Sequence, residues 1–175
     1  MEQRKIILYI AVSLDGFIAD EHGGVSWLDE ADVEGDNGFS KFMATVDTVM
    51  IGRVTYEQVL SFGGDWPYRG KTVYVFSHHG HAPDANVEFV SGDIGKIVED
   101  IRSRPGSNIY LVGGAELISG FMKEQLIDEY LVFVMPVVLG KGIPMFRGPS
   151  PRTWLTLEES RRSNNMALIH FGKEA

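Results

Sequence analysis

Cysteine is absent from the 175-residue chain. Without a thiol the protein forms no disulfide, no thiolate zinc site and no cysteine nucleophile. The lack of disulfides predicts the reducing cytoplasm as its compartment. No apolar stretch approaches the roughly 18 residues that a membrane-spanning helix needs, so we expect no membrane partner.

Positive charge is also scarce. Lysine and arginine together number 16 against 24 aspartate and glutamate residues, which gives a formal net charge of -8 and an isoelectric point near 5.1. A general nucleic-acid binder needs clustered positive charge to replace the counterions of the phosphate backbone. We therefore expect no nucleic-acid partner, although a local basic pocket stays compatible with this composition.

The residues that are present are typical of a globular protein. The chain is 44% hydrophobic and 23% charged, with 20 glycines against 7 prolines. A chain of this length buries roughly two thirds of its unfolded surface in one core. We expect a single domain over residues 1–175.

Short apolar runs, typical of strands covered on both faces, alternate with segments of helical periodicity in the first two thirds of the chain. A long acidic loop is expected over residues 20–36, and helical spacing runs from Phe39 to Val46, from Arg53 onward, from Ile94 to Ile101 and from Leu117 to Met122. The strands are predicted at residues 6–12, 48–51, 73–76, 87–90 and 109–112.

The last third changes character. Residues 130–139 read as one long strand that carries Pro136, and residues 155–157 and 167–171 read as antiparallel strands. Together the elements predict an α/β fold with three αβα layers. Its mixed sheet would have about eight strands, mostly parallel with antiparallel carboxy-terminal strands. Residues 130–139 and 167–171 offer more apolar surface than one sheet face needs, which predicts a homodimer.

Two strand-to-helix junctions carry the strongest chemical signals. In residues 110–118 a glycine pair breaks a buried strand and opens a helix, so backbone N–H groups can approach a phosphate. In residues 50–57 an arginine stands at a second helix start, with Thr55 and Gln58 spaced as a capping box. Taken singly, the glycine pair fits an ordinary turn equally well, and the second pattern fits a capped helix with a solvated arginine better than an anion site.

Position favours the ligand interpretation. Ligands of open α/β sheets bind beyond the carboxyl ends of the strands, where Ser13, Gly52, Ser77 and Gly113 all lie. The glycine spacing does not fit the Rossmann fingerprint, and no Walker loop occurs. The histidines at 78, 79 and 81 lack a nearby carboxylate motif, so we expect no metal site; one of them could instead contact a cofactor phosphate beside Ser77.

Four motifs occur in order along the chain: Ala11-Val12-Ser13-Leu14-Asp15-Gly16, Gly52-Arg53 with Thr55-Tyr56, Val112-Gly113-Gly114-Ala115-Glu116, and residues 139–146. Together they resemble the stand-alone RibD C-terminal-like branch of the dihydrofolate reductase superfamily, and the resemblance covers nearly the whole chain. It implies a reductase that uses NADPH and a cis peptide bond between Gly113 and Gly114. The residues matching the cofactor groove are Ala11, Val12, Gly52, Arg53, Thr55, Ser77, His78, Val112, Gly113, Gly114, Ala115, Glu116, Leu117 and Ile118.

The resemblance also places a catalytic acid. Counted back without gaps from Gly52, Asp36 falls where dihydrofolate reductases hold the pterin ring. A carboxylate half-buried beside aromatics would have a raised pKa and assist protonation of the substrate, while a helix-capping role for Asp36 is the alternative. The residues matching the substrate side are Ser13, Asp15, Trp27, Phe39, Leu139 and Gly140.

The substrate stays open between related heterocycles. Lys71 stands where folate enzymes use an arginine for the glutamate carboxylate, and lysine lacks the bidentate fork. The zinc deaminase that often accompanies RibD needs cysteine ligands, which this chain lacks. The expected function is therefore NADPH-dependent reduction of a pteridine- or pyrimidine-type heterocycle, resembling 5-amino-6-(5-phosphoribosylamino)uracil reductase of riboflavin biosynthesis. Dihydrofolate reductase activity and a non-catalytic nucleotide-binding domain are the alternatives.

Overall fold

The computed structural model describes residues 3–31 and 34–174. Most elements lie where the apolar patterns place them. The strands are β1 (Ile6–Ser13), β2 (Phe17–Ala19), β3 (Val46–Gly52), β4 (Thr72–Phe76), β5 (Glu88–Val90), β6 (Asn108–Gly113), β7 (Glu129–Met135), β8 (Ile143–Pro144), β9 (Leu155–Ser163) and β10 (Met166–Lys173). The helices are α1 (Phe39–Met43), α2 (Arg53–Ser61), α3 (Ile94–Ser103) and α4 (Ala115–Lys123).

Eight of the strands form one sheet in the order β5-β4-β3-β6-β1-β7-β10-β9. The strands from β5 to β7 in this order run parallel, and β10 and β9 join by antiparallel pairing. The expected mixed sheet with antiparallel carboxy-terminal strands is confirmed. Strands β2 and β8 pair with each other in a small separate sheet, which the sequence patterns did not indicate.

Helices cover both faces of the sheet because β1 is apolar on both sides. Its residues Ile6 and Leu8 pack with Phe121 of α4, and α3 joins the same cluster. Ile7 points to the other face and packs with Phe42 of α1. Burying a side chain of this size contributes about 1.5–3 kcal/mol, so the two cores hold the three expected layers together.

Two predicted elements are shorter than expected. Val46 begins β3 instead of ending a helix, because the Thr45 hydroxyl donates to the Phe42 carbonyl at 2.7 Å and closes α1 after one turn. Strand β7 ends at Met135, and Pro136 lies outside it. Proline has no N–H to donate to a strand ladder, so it ends the strand.

A buried arginine ties the elements together at the amino-terminal edge of the sheet, away from the carboxyl ends of the parallel strands. Arg4 is 7% exposed. It donates to the carbonyls of Ser107 at 2.7 Å and Ile101 at 3.0 Å, donates to the Thr48 hydroxyl at 2.6 Å and forms an ion pair with Asp47. No helix in the residues that the structure describes is long and apolar enough to cross a membrane.

Candidate active site

Two helix N-termini lie side by side at the carboxyl edge of the sheet. Neighbouring strands β3 and β6 end at Gly52 and Gly113, and α2 and α4 begin directly afterwards. A Cβ atom on Gly52 would lie 3.4 Å from the Gly113 oxygen and 3.5 Å from the Gly114 nitrogen, so the two junctions touch. Neither helix start is capped by a side chain. Their free N–H groups and helix dipoles therefore concentrate positive potential at one point.

Thr55 connects the two junctions. The predicted capping box is wrong, because α2 already begins at Arg53 and places Thr55 inside its first turn, while Gln58 donates to the Gly23 carbonyl at 2.7 Å. A Cβ atom on Gly114 would lie 2.9 Å from the Thr55 hydroxyl oxygen, closer than side chains tolerate. Glycine at position 114 is therefore required by this close approach. The peptide bond before it is cis, as the resemblance implies.

Arg53 lies at this junction, and its guanidinium is paired with a carboxylate. Its Nη1 lies 2.9 and 3.0 Å from the two carboxylate oxygens of Glu57, one helical turn later. The Arg53 side chain is 35% exposed. Surface pairs at this spacing are weak, about 0.3–0.5 kcal/mol, so an anion that offers better geometry can displace Glu57.

Ser77 and His78 differ in their availability. Ser77 is buried, and its hydroxyl donates to the His79 carbonyl at 2.9 Å and lies 2.8 Å from Nε2 of His81. His81 in turn stacks on Phe89, with ring centroids 4.5 Å apart. The Ser77 hydroxyl is therefore engaged within its own loop, whereas His78 is exposed. Within residues 3–31 and 34–174, no group of three or more acidic or histidine side chains is arranged to hold a metal ion.

The other residues that match the cofactor groove divide by burial. The side chains of Val12, Leu117 and Ile118 lie in the core between the sheet and α3 and α4, so they offer a ligand their backbone and not their side chains. Ala115 is also buried. The more accessible residues of this set are Ala11, Val112 and Glu116.

Ser13, Asp15, Leu139 and Gly140 come together in one hydrogen-bonded clasp. The Ser13 hydroxyl donates to Asp15 at 2.7 Å, and the backbone N–H groups of Leu139 and Gly140 donate to the same carboxylate at 3.1 and 2.7 Å. The Ser13 hydroxyl and then these amides lower the pKa of Asp15. The clasp fixes the loop after β7 beside the end of β1, so Asp15 holds the loop in place.

An aromatic cluster centred on Tyr9 lies beside this clasp, and the sequence analysis did not single it out. Tyr9 stacks on Phe42 at a centroid distance of 4.5 Å and contacts Phe133 at 4.9 Å and Phe39 at 5.5 Å. It stands two residues before Ala11, so both point to one face of β1. Tyr9 could have been found from the sequence, because side chains two residues apart in a strand share a face, and Tyr9 lies two residues before Ala11 of the first motif.

Burial, and to a smaller extent the Asp36 carboxylate, raise the pKa of the Tyr9 hydroxyl to about 12, while Arg161 opposes the shift. The phenol therefore stays protonated at neutral pH and keeps a hydrogen to donate. Since Asp36 and Arg161 both affect the pKa of Tyr9, their charges act on the same part of the surface.

Trp27, which lies in the long acidic loop, packs at the edge of this aromatic cluster. It lies in a short 3-10 turn, is 8% exposed and packs against Phe133, Met135 and Leu139. Its Nε1 is buried and has no hydrogen-bond partner among the described residues. A buried N–H without an acceptor is rare in folded proteins, because leaving it unpaired costs about 1–3 kcal/mol.

Asp36 differs from the sequence expectation. It is exposed, and its carboxylate accepts hydrogen bonds from the backbone N–H groups of Gly38 at 2.9 Å and Ser40 at 2.8 Å at the start of α1. The Ser40 hydroxyl and these amides lower its pKa. The expected half-buried acid with a raised pKa is therefore wrong, and the capping contacts explain why.

Comparison with solved structures identifies the class of fold. The structure matches the deaminase/5-amino-6-(5-phosphoribosylamino)uracil reductase of Thermotoga maritima with a TM-score of 0.71, at 18% identity over 98% of this chain and 57% of that one. It matches dihydrofolate reductase from Enterococcus faecalis, solved with NADP(H), with a TM-score of 0.64, at 15% identity over 99% and 98% of the two chains. The fold is thus that of the dihydrofolate reductase-like reductases.

The chain belongs to the RibD C-terminal domain family, whose pattern matches residues 4–169. It is 45% identical to the uncharacterised protein YwjB of Bacillus subtilis, over 97% of this chain and 98% of that protein. YyaP of the same organism, also uncharacterised, is 34% identical over 92% and 90% of the two chains. A crystal structure from Shewanella sp. PV-4, provisionally named a riboflavin biosynthesis protein, matches with a TM-score of 0.89 and 32% identity over 98% and 99% of the two chains.

Proposed function

We propose that the protein is a reductase that uses NADPH to reduce a pteridine- or pyrimidine-type heterocycle. The observation that carries the proposal is the contact between the two uncapped helix N-termini at Gly52 and Gly113-Gly114. Neighbouring helix N-termini with uncapped backbone N–H groups suit the diphosphate of a dinucleotide. The named reductases that share this fold support the same assignment.

The residues at this junction fit the cofactor. Gly113 has a φ of 114°, a conformation that favours glycine, and any side chain at Gly114 would meet Thr55. Glycine at both positions lets the two helix starts approach each other closely. NADPH would supply the hydride, and the reduction adds that hydride to a carbon of the substrate and a proton to the neighbouring nitrogen.

The chain's own residues would hold the substrate beside this junction. The aromatic rings of Tyr9 and Phe39 offer flat apolar surface to a planar ring, and the Asp15 clasp holds Leu139 at its border. Because the pKa of Asp36 is lowered, its carboxylate stays ionised at neutral pH. We infer that Asp36 stabilises the positive charge that develops as the substrate nitrogen takes up a proton, and that this proton comes from water.

Lys71 favours this assignment over a folate enzyme. Its ammonium group donates to the backbone carbonyls of Met43 at 2.9 Å and Val46 at 2.7 Å. These bonds join the end of α1 to β3. The ammonium group of Lys71 is therefore occupied within the fold, at the position where folate enzymes bind the glutamate tail.

The first experiment is a calorimetric titration with NADPH in the absence of substrate. Binding is expected, and oxidation should then follow with a panel of pterins, flavins and pyrimidines. The variant Thr55→Ala/Gly114→Ala removes the clash with the Thr55 hydroxyl and places a methyl group where the two helix starts meet, while Thr55→Ala alone is its control. We expect the double variant to lose NADPH affinity beyond the single one. Wild-type protein that fails to bind NADPH would exclude the proposal.

A further inference from the structure

We propose that two copies of this chain pair along the outer edge of β9, strand against antiparallel strand, about a two-fold axis at Ser160. β9 is the last strand of the sheet, and no strand in the part of the chain that the structure describes pairs with its outer edge. Such an edge presents a row of backbone donors and acceptors to another extended chain. The partner is a second copy because the side chains along this edge are complementary to themselves.

The two edge strands of the sheet differ in how they are protected. β5, at the opposite edge, has three residues, and a short edge strand is a common protection against unwanted pairing. β9 has nine residues, and residues 156–162 are all exposed. A bulge leaves Glu158 without a partner on β10, so the regular part of the strand covers residues 159–163. The exposed charges of this edge repel most partners, but not one that carries the matching charges.

The charges along β9 change sign at Ser160. Glu158 and Glu159 precede it, and Arg161 and Arg162 follow it. When two antiparallel copies share a two-fold axis at Ser160, Glu159 of each copy lies directly opposite the partner's Arg161. Cross-strand pairs of opposite charge stabilise a sheet, whereas like charges directly opposite each other destabilise it. The dimer would thus contain two equivalent attractive pairs.

The same charges select the register. A two-fold axis at Glu159 would place that carboxylate opposite its own copy, and an axis at Arg161 would place two guanidinium groups opposite each other. The axis at Ser160 lies between these two positions and makes both contacts attractive. Within one chain, Arg161 Nε lies 2.8 Å from the Glu159 carboxylate, and the two side chains are 47% and 49% exposed. An exposed pair of this kind contributes little, so both groups can turn toward a partner.

Two exposed apolar side chains lie where the second copy would cover them. Trp154 and Leu157, at the start of β9, are 70% and 54% exposed. Antiparallel pairing brings this end of one strand against the opposite end of the other, close to the partner's Ser163 and the partner's Asn164. Removing this apolar surface from water would favour association in addition to the charge pairs.

The covered end of the strand borders the candidate active site. The Ser163 hydroxyl donates to the side-chain oxygen of Asn37 at 3.1 Å, and Asn164 Nδ2 donates to the Glu34 carbonyl at 3.0 Å. Both bonds hold the segment that carries Asp36. Each copy would therefore support this segment of the other by covering the turn to which it is bonded.

Charge reversal tests the contact, with the dimer dissociation constant measured by sedimentation equilibrium. Glu159→Arg makes both pairs arginine against arginine, and Arg161→Glu makes both glutamate against glutamate. Each change replaces two attractions by two repulsions, so we expect dimerisation to weaken about thirtyfold or more. The double variant Glu159→Arg/Arg161→Glu restores both attractions and should dimerise almost as the wild type does. The matched control Glu88→Arg makes the same charge change at an exposed position of β5 and should have no effect.

A mixture of the two single variants gives the most specific result. One copy then carries arginine at both positions and the other carries glutamate at both, so both contacts become attractive again. We expect heterodimers to form at concentrations where neither variant dimerises alone. This result also shows that the single variants are folded, and it is independent of the proposed function because no cofactor is added.

Three outcomes would overturn the proposal. The first is a wild-type protein that stays a single chain at micromolar concentration. The second is a pair of single variants that dimerise as tightly as the wild type, which would place the interface on the apolar surface of β7 and β10 instead. The third is a mixture of the single variants that forms no heterodimer while each variant keeps the thermal unfolding transition of the wild type.

Discussion

Replacement of Arg53 by alanine should remove the preference for NADPH over NADH. Arg53 begins α2 directly after Gly52, so its guanidinium can reach the adenosine end of a dinucleotide whose diphosphate lies on the paired helix starts. The two cofactors differ in the 2′-phosphate, which NADH lacks. A contact from Arg53 would therefore favour NADPH alone.

The magnitude follows from the pairing seen in the structure. A charge-assisted hydrogen bond contributes about 1.5–3 kcal/mol, and Arg53 must first leave Glu57, which costs about 0.3–0.5 kcal/mol for an exposed pair of this spacing. The net contribution is about 1–2.5 kcal/mol, or about five- to seventyfold in affinity. The same reasoning predicts that Glu57→Gln, which frees the guanidinium, tightens NADPH binding about twofold.

The assay is calorimetric titration of both cofactors at fixed ionic strength. Arg53→Ala should weaken NADPH by the factor given above and leave NADH nearly unchanged, and raised salt should reproduce part of the loss in the wild type. Glu57→Gln is the control for loss of the ion pair itself, because it breaks the same pair and keeps the arginine. If wild-type protein binds the two cofactors equally, or if Arg53→Ala weakens both alike, the phosphate does not lie at Arg53.

Four further predictions concern the rest of the molecule. Asp36→Asn should lower kcat about tenfold or more without changing the Kd of NADPH, and unchanged turnover would reduce Asp36 to a helix cap. Arg4→Met should lower the free energy of unfolding by about 1–3 kcal/mol in urea, because the carbonyls of Ile101 and Ser107 lose their donor, whereas the exposed Arg104→Met should cost far less. The Asp15 clasp should persist above the pKa of the unfolded carboxyl and be lost as pH falls through the lower folded value, so the protection of the Gly140 amide against exchange, relative to an unfolded chain at the same pH, should fall in acid, and Asp15→Ala should show low protection at all pH values. Light scattering should give twice the 19.5 kDa chain mass, and a single-chain particle at micromolar concentration would rule out the homodimer.

The central sheet was predictable because its strands are buried on both faces. The residues from Ile6 to Val12 form a nearly continuous apolar run, which distinguishes a strand buried on both faces from one with an exposed, polar face. Turn residues follow the run on its carboxyl side. The short β2 and β8 escaped prediction, since three and two residues carry no measurable period. Their pairing depends on a contact between distant parts of the chain, which local patterns do not encode.

Asp36 and Tyr9 show where a sequence argument about chemistry stops. The position of Asp36 was readable by counting from Gly52, but its pKa depends on donors that only the turn geometry supplies, and these act in the direction opposite to the expected desolvation. Tyr9 reads as one more apolar residue of a buried strand. Only the structure shows that its side chain stays partly exposed beside α1.

The candidate cofactor site exists because of the order of the strands and not because of either motif. Gly52 and Gly114 are separated by two helices and three strands along the chain, and each motif alone fits an ordinary turn. Strand β6 inserts between β3 and β1, and this insertion brings the Thr55 hydroxyl within 2.9 Å of where a Gly114 side chain would begin. Had β6 added at the sheet edge beside β5, the two helix starts would stand several strand spacings of about 4.8 Å apart. No single diphosphate could then bridge them, so the topology itself makes two weak signals into one site.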